Sequence, residues 1–223
     1  MILNIYKPKG LTSFDVVAQI RNKLGVKKVG HAGTLDPLAE GVLIVLTESD
    51  TKRQSEFMLL DKEYVAEIAF GGESPTYDLE YPPMLSDNQV SLNELKENLP
   101  KLILKYSGEF IQKAPSYSAK KVHGKALYLS SRKGKITSED DLPTKMITVR
   151  RFTILDVYTK EVLTDRGLKS LPTVKCVIEC SSGTYIRSIA HDLGKELHTG
   201  GVLISLVRTR IGSYKIEDAT KLD

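Results

Sequence analysis

No stretch of this sequence is apolar for long enough to cross a membrane. The longest uncharged apolar run, Gly41–Thr47, is far shorter than the roughly 20 residues that a membrane-spanning helix needs. The first residues also lack the long apolar segment and the small-residue cleavage site of a signal peptide. These absences predict a cytoplasmic protein without membrane contact. Its 223 residues, 41% of them hydrophobic, suffice for one large domain or two small ones.

Cysteine is also scarce. The two cysteines, Cys176 and Cys180, are four positions apart in a segment where apolar and polar residues alternate. On one extended strand their Cα atoms lie about 13 Å apart, which is too far for a mutual disulfide. No second cysteine pair or nearby histidine cluster accompanies them, so the pattern predicts buried thiols and no metal site.

Acidic residues are absent from one long segment, Phe110–Ser138, although the net charge of the whole chain is only +4. The cations of this basic segment are Lys113, Lys120, Lys121, Lys125, Arg132, Lys133 and Lys135. A local cluster of this kind suits either a solvated surface or contacts to the phosphates of a nucleic acid. Charge alone leaves both interpretations open.

Periodicity predicts the core elements. The first six residues predict a strand, Thr12 or Ser13 can cap a helix that ends at Gly25, and Val42–Leu46 predicts a buried strand. Further expected elements are a strand over Lys62–Phe70, a surface loop over Ser74–Asn88, a helix capped by Ser91 and Glu94 that stops near Pro100, a short helix near Lys125–Ser131, strands over Met146–Tyr158 and Thr173–Ser181, and a helix over Tyr185–Leu197. The irregular alternation favours an α+β fold with one mixed, largely antiparallel sheet.

The segment Gly30–Gly41 carries the most informative pattern, because Asp36 precedes a proline among several glycines. Proline restricts the preceding residue to extended backbone, and glycines permit the close approach of a ligand or of another part of the chain. A carboxylate presented in this way can take part in catalysis. Asp-Pro is also a common turn device, and spacing alone does not separate the two interpretations.

Read as Gly-His-Ala-Gly-Thr-Leu-Asp-Pro-Leu-Ala-Glu-Gly, this segment resembles the catalytic motif of the tRNA pseudouridine synthase B (TruB) family. Other stretches follow that family's order: Lys7–Gly10, Lys62–Tyr64, Gln112–Lys121, which resembles its RNA-gripping thumb, and Gly183–Arg187. The resemblance covers nearly the whole chain. It implies the pseudouridine synthase fold, a curved sheet flanked by helices and loops, as a single domain over residues 1–223 with a basic thumb insertion at about 110–145.

The resemblance also implies roles for individual residues. Asp36 is expected to be the nucleophile that attacks either the uracil ring or ribose C1′, with Arg187 as its ionic partner. Tyr64 is expected to stack on the uracil and to help remove the C5 proton. The implied substrate pocket further contains His31, which fills the space left by the extruded uridine, with Tyr185, Leu206, Lys7, Pro8, Gly33 and Thr34. Phosphate contacts are expected from Lys113, Lys120, Lys121, Lys125, Arg208 and Arg210.

The implied activity is isomerisation of uridine 55 in the T loop of tRNA. No metal, organic cofactor or obligatory protein partner is expected, and the enzyme is expected to be a monomer. The chain departs from the family at Ala114, where a proline is usual, and near Gly200–Ile204. From its length we expect it to lack the C-terminal RNA-binding (PUA) domain of many bacterial members. The alternatives are an RNA-folding module and a guide-directed synthase. A carboxylate hydrolase of another class is disfavoured, because only one acid is well presented and glycoside hydrolysis would need two.

Overall fold

The computed structural model describes residues 1–118, 121–122, 125–126 and 142–222. They form an α+β fold with a mixed, largely antiparallel sheet, as the sequence predicts. The chain divides into two compact units. Unit 1 comprises Met1–Ala66, Val177–Ser182 and Ser205–Asp223, and unit 2 comprises Glu67–Cys176 and Gly183–Ile204.

The strands of the described residues are numbered in chain order. They are β1 Ile2–Lys7, β2 Val29–Ala32, β3 Glu40–Thr47, β4 Lys62–Phe70, β5 Gly72–Glu73, β6 Met84–Leu85, β7 Gly108–Lys113, β8 Lys121–Val122, β9 Lys125–Ala126, β10 Thr144–Thr164, β11 Gly167–Cys180, β12 Gly201–Ile211, β13 Tyr214–Lys215 and β14 Thr220–Lys221. The described helices are α1 Ser13–Leu24, α2 Gln54–Leu59, α3 Leu92–Lys105 and α4 Ile186–Glu196. None of them is long and apolar enough to span a membrane.

Strand β3 is the centre of unit 1, where the strand order is β14, β1, β3, β12, β4, β11. It pairs antiparallel with β1 and β2 and parallel with β12. Its residues Val42, Ile44 and Leu46 belong to one apolar cluster, and Leu43 and Val45 belong to another. Burial of both faces explains why this strand is continuously apolar rather than alternating, and the prediction of a buried strand is confirmed.

Helix α1 begins as predicted with a side-chain cap. Thr12 accepts a hydrogen bond from the backbone N–H of Asp15, whose carboxylate accepts one from the N–H of Thr12 in return. The helix ends at Gly25 in the left-handed conformation (φ 62°), which costs glycine little because it has no Cβ. Val16, Val17 and Ile20 are buried. Leu24, predicted on the same face, is exposed in the last turn.

In unit 2 the strand order is β12, β4, β11, β10, β7, and β10 and β11 run on either side of the turn at Asp165–Arg166. Strand β10 extends beyond its predicted bounds at both ends, β11 begins before its predicted start and ends one residue before its predicted end, and β12 was not predicted. The predicted face of β4 is confirmed, because Tyr64, Ala66, Ile68 and Phe70 are all buried.

Helix α3 is capped by Ser91 and Glu94 as predicted, but it continues through Pro100 to Lys105, so the predicted end was wrong. Proline removes one backbone hydrogen bond and disfavours a helix interior. The apolar stripe of Leu95 and Leu99 nevertheless continues through the half-buried Leu102 and Ile103. Packing along the stripe therefore outweighs the local preference.

Two further predictions need correction. The segment after β5 was expected to be a surface loop, yet Ser74, Thr76 and Asp78 are buried because their side chains and backbone bond to one another. A short helix was expected near Lys125–Ser131, yet Lys125 and Ala126 form strand β9, which pairs with β8. The rest of that predicted helix, residues 127–131, lies outside the described residues.

Candidate functional site

Asp36 lies in unit 1, in the loop that joins β2 to β3. Its carbonyl accepts a hydrogen bond of 3.1 Å from the N–H of Ala39, so Asp36 is the first residue of a four-residue turn with Pro37 second. Asp at the first position and Pro at the second suit a type I turn. The residue is half-buried. The turn interpretation and the catalytic one are thus compatible, because the turn is what presents the carboxylate.

The Lys7–Gly10 motif is tied to this turn. Gly10 N–H donates to the carbonyl of Pro37 over 2.8 Å, and the Lys7 ammonium donates to the carbonyls of Leu11 (2.7 Å), Pro8 (3.0 Å) and Pro37 (3.4 Å). Lys7 is completely buried. Burial lowers the pKa of Lys7 to about 8, against the opposing effect of the Asp36 charge. The Lys7–Gly10 motif therefore supports the Asp36 loop through Lys7 and the Gly10 backbone, while Pro8 is half-buried and Lys9 and Gly10 are exposed.

Arg208, on β12, is the second buried cation beside the loop, with 1% of its surface exposed. Its guanidinium donates to the carbonyl of Val42 over 2.7 Å through Nε and to that of Gly33 over 3.0 Å through Nη2. The family resemblance predicts a phosphate contact here. A guanidinium enclosed by backbone carbonyls is not placed for one.

Tyr64 is almost fully buried in unit 1. Burial raises its pKa, and the charge of Arg208 and a hydrogen bond with it act in the opposite direction. Asp36 and Cys180 add smaller effects that raise the pKa further. The ring therefore lies within electrostatic reach of both the predicted nucleophile and the buried arginine.

His31 is buried at the end of β2, where its ring meets that of Phe14 edge to face, with centroids 5.4 Å apart. Burial, with a contribution from Arg208, lowers its pKa. Phe14 itself is 74% exposed. Burial thus favours the neutral form of His31, which lies beside the Asp36 loop and next to an exposed aromatic ring that was not predicted to belong to the site.

The other residues predicted in unit 1 differ in their accessibility. Thr34 is exposed, whereas Gly33 and Leu206 are half-buried. Arg210 forms an ion pair of 2.7 Å with Glu179 and also donates to the carbonyl of Gly212. Its charge is partly offset within the protein.

Arg187 and Tyr185 belong to unit 2, at the start of α4. Arg187 is 5% exposed and donates to the carbonyl of Thr76 over 3.2 Å, and its guanidinium lies 5.9 Å from the ring centroid of Tyr185. The backbone of Tyr185 is fixed on both sides by the amide of Gln112. The expected pairing of Arg187 with Asp36 stays a prediction.

The basic segment also belongs to unit 2, and Lys113 is exposed at the end of β7. Lys120 lies outside the described residues. Lys121 and Lys125 are described as backbone of β8 and β9. Their phosphate contacts stay predictions.

Two structural contributors were not predicted from the sequence. Ser13 does not cap α1; its hydroxyl instead accepts from the N–H of Leu35 over 2.9 Å and donates to the carbonyl of that residue over 3.1 Å. It therefore fixes the residue before Asp36. The turn over Ser74–Asp78 is the second, since it supplies the carbonyl that Arg187 binds, and the signal available for it was the Thr-Tyr-Asp sequence within a polar loop.

The chain is similar to proteins of one known family. The family model described as "TruB family pseudouridylate synthase (N terminal domain)" matches residues 21–186. The tRNA pseudouridine synthase B of Protochlamydia amoebophila is 41% identical over 219 residues, which cover 97% of this chain and 76% of the relative. That of Bacteroides fragilis is 40% identical over 222 residues, covering 97% and 88%.

Solved structures agree in fold. A Cbf5-Nop10-Gar1 complex contains a chain that is 27% identical with a TM-score of 0.69, and an H/ACA RNP bound to a substrate RNA containing 2′-deoxyuridine contains one that is 25% identical with a TM-score of 0.66. Each alignment covers 99% of this chain but only about half of the solved chain. With the curated relatives and the family model, these matches establish that the chain belongs to the TruB family of pseudouridylate synthases.

Proposed function

We propose that this protein converts uridine to pseudouridine in tRNA, at uridine 55 of the T loop. Membership of the TruB family supports the reaction, and the names of the curated relatives support tRNA as the substrate. The observation that carries the proposal is the Asp36 turn, in which Ser13, Lys7 and Arg208 fix the backbone around one half-buried carboxylate. Such rigid presentation is what a nucleophile needs in order to meet its target atom.

The reaction needs no second substrate. The bond between N1 of the uracil and ribose C1′ breaks, a bond between C5 and C1′ forms, the C5 proton leaves, and N1 takes up a proton. Asp36 serves as the transient covalent partner of either the base or C1′ and is released at the end. Arg187 is proposed to pair with Asp36 and keep it ionised.

Access to Asp36 requires the uridine to leave its stacked position in the RNA. His31 is proposed to occupy the vacated space, because it lies at the beginning of the catalytic loop and is held neutral by burial. A neutral imidazole can donate and accept one hydrogen bond each, as a displaced nucleobase does. Tyr64, Tyr185 and Leu206 are proposed to contact the extruded uracil.

The decisive test is tritium release from an unmodified T-arm stem-loop labelled at uridine C5, with the purified protein alone and EDTA present. We expect release, because the reaction as written needs only a carboxylate nucleophile and proton transfers. Tight binding of the RNA without release would contradict the proposal and favour an RNA-folding module. Release that required added protein or guide RNA would instead favour a guide-directed synthase.

We also expect a particular oligomeric state and independence from other proteins, and the purified protein and the stem-loop can test both. The enzyme acts as a monomer in the cytoplasm, without an obligatory protein partner. Sedimentation of the protein with and without the stem-loop checks the oligomeric state, and the release assay with purified components checks the independence from partners.

RNA binding is expected to depend on the basic segment. Removing one lysine that binds a phosphate reduces the slope of log K against log salt by about 0.7 to 0.9. Replacing Lys113, Lys120, Lys121 and Lys125 by glutamine should therefore weaken binding at low salt and reduce the slope of log K against log salt by up to about 3.6. Filter binding between about 50 and 200 mM salt measures both quantities.

A matched control removes the same charge elsewhere. Lys52, Lys96, Lys101 and Lys169 are exposed, and their replacement by glutamine should change the slope far less. Equal effects from the two quadruple variants would show that only net charge matters and would contradict the assignment of the basic segment to phosphate contacts.

A further inference from the structure

Arg208 donates hydrogen bonds to one residue that precedes Asp36 in the sequence and to one that follows it. Gly33, which accepts from Nη2, precedes Asp36 by three residues, and Val42, which accepts from Nε, follows it by six. One guanidinium therefore bridges the beginning of the loop and the strand into which the loop runs. Only 1% of the surface of Arg208 is exposed, so its side chain contacts these carbonyl groups and is out of reach of RNA.

We propose that Arg208 is a positioning residue for pseudouridine formation: it fixes the geometry of the Asp36 loop instead of binding RNA phosphates. The inference deepens the proposed function and rests on it. It replaces the phosphate contact that the family resemblance suggested for this residue.

The surroundings of Arg208 are shaped for a guanidinium. In the parallel pairing of β3 with β12, Arg208 lies opposite Gly41, where an added Cβ would come within 2.2 Å of the Arg208 carbonyl oxygen. At Gly33 an added Cβ would lie 3.7 Å from Nη1. The two glycines thus let β12 and the catalytic loop approach closely enough for the planar fork to reach two carbonyls at once. A lysine ammonium has no such fork.

The same guanidinium is the cation that acts on two predicted substrate contacts. Its charge and hydrogen bond lower the pKa of Tyr64, against the stronger effect of burial and smaller effects of Asp36 and Cys180. Its charge also lowers the pKa of His31. The pKa of Tyr64 is raised overall, and Arg208 offsets part of that rise, so the phenolate that would accept the C5 proton costs less to form than it would without the guanidinium. The hydrogen bonds of Arg208 and the effect of its charge on Tyr64 and His31 both support a positioning role for this residue.

The test compares Arg208→Lys and Arg208→Gln with the wild type and with Arg21→Gln, which removes an exposed arginine from α1. Single-turnover tritium release at saturating stem-loop gives the rate, and filter binding gives the affinity. We expect both Arg208 variants to react on the order of 10²-fold more slowly, the usual cost of a misplaced reacting group, with affinity and salt slope within about two-fold of the wild type. Arg21→Gln should match the wild type in rate.

A phosphate contact gives the opposite result: weaker binding, a salt slope reduced by about one, and an unchanged rate at saturation. That result in either Arg208 variant would overturn the proposal. An inactive wild type would instead contradict the proposed function itself, so the two failures are distinguishable.

Loss of rate through general unfolding is separated by a local readout. The chain has four histidines, and the ring signals of His31 can be followed by NMR during a pH titration. Because Arg208 lowers the pKa of His31, Arg208→Gln should raise it, whereas Arg208→Lys, which keeps the charge, should leave it nearly unchanged. If both variants react slowly but the pKa of His31 is unchanged in Arg208→Gln, the Arg208 guanidinium would not lie close enough to His31 to affect it, and the proposed position of its charge would be contradicted. If Arg208→Gln does not fold, the rate and affinity of Arg208→Lys still decide between the two roles.

Discussion

Replacement of Asp36 by asparagine is expected to abolish tritium release while the stem-loop remains bound. Asparagine has nearly the same shape as aspartate, so the turn that begins at Asp36, held through the backbone of Pro37 and Ala39, should persist. The amide is not a nucleophile, however, and removal of a covalent nucleophile lowers rates by roughly 10⁴ to 10⁶-fold. Single-turnover release at saturating RNA measures the change, with filter binding in parallel.

Asp87→Asn is the matched control, because its carboxylate is 93% exposed and lies in unit 2 outside the proposed site. It should react at the wild-type rate. Residual activity of Asp36→Asn within about 10²-fold of the wild type would mean that the carboxylate only positions the substrate, since that is the scale of a misplaced group rather than of a lost nucleophile.

Elements that depend on neighbours in sequence could be predicted from sequence. The cap at Thr12 and the capping box at Ser91 depend on residues within one helical turn, and the burial of β3 follows from an apolar run that no polar residue interrupts. The Asp36 loop was identified as a candidate site through its resemblance to a family motif. Asp-Pro by itself leaves the choice between a turn and a nucleophile open, and the structure contains the turn in either case.

Contacts between distant residues could not be predicted. Ser13 binds Leu35 across 22 positions, and Arg208 binds Gly33 across 175. No local pattern distinguishes the buried Arg208 from Arg210, which follows it by two residues and pairs with Glu179. An arginine in a basic, polar stretch of an RNA-modifying enzyme suggests a phosphate contact, and only the pairing of β12 with β3 places it inside the protein.

Helix α3 shows a second kind of limit. Proline is a strong local signal for a helix end, and the prediction gave it more weight than the apolar stripe on either side of it. The stripe continues past Pro100, so tertiary packing decides the length of the helix. The burial of Ser74, Thr76 and Asp78 has the same origin, because mutual hydrogen bonds allow polar residues to leave the surface.

Gly41→Ala is expected to cause the largest loss of stability among substitutions in the catalytic motif. Gly41 has φ 108°, a conformation that side chains with a Cβ rarely adopt, and an added Cβ would lie 2.2 Å from the carbonyl oxygen of Arg208. The obstacle is backbone, so no rotation of a side chain relieves it. Strain and overpacking together should lower the free energy of unfolding by about 2 to 6 kcal/mol. Urea unfolding followed by circular dichroism measures it.

Gly30→Ala is the matched control within the same motif. Gly30 has no atom within 4 Å of an added Cβ and lacks a positive φ, so its free energy of unfolding should stay within about 1 kcal/mol of the wild type. If Gly41→Ala were equally harmless, β3 and β12 would not need their close approach, and the bridge from Arg208 to Gly33 and Val42 would lose its structural basis. If instead Gly41→Ala folds under native conditions but reacts slowly, the separation of β12 from β3 affects catalysis through the geometry of the Asp36 loop. In that case the close pairing of β3 with β12 would contribute both to the stability of the fold and to the rate of pseudouridine formation.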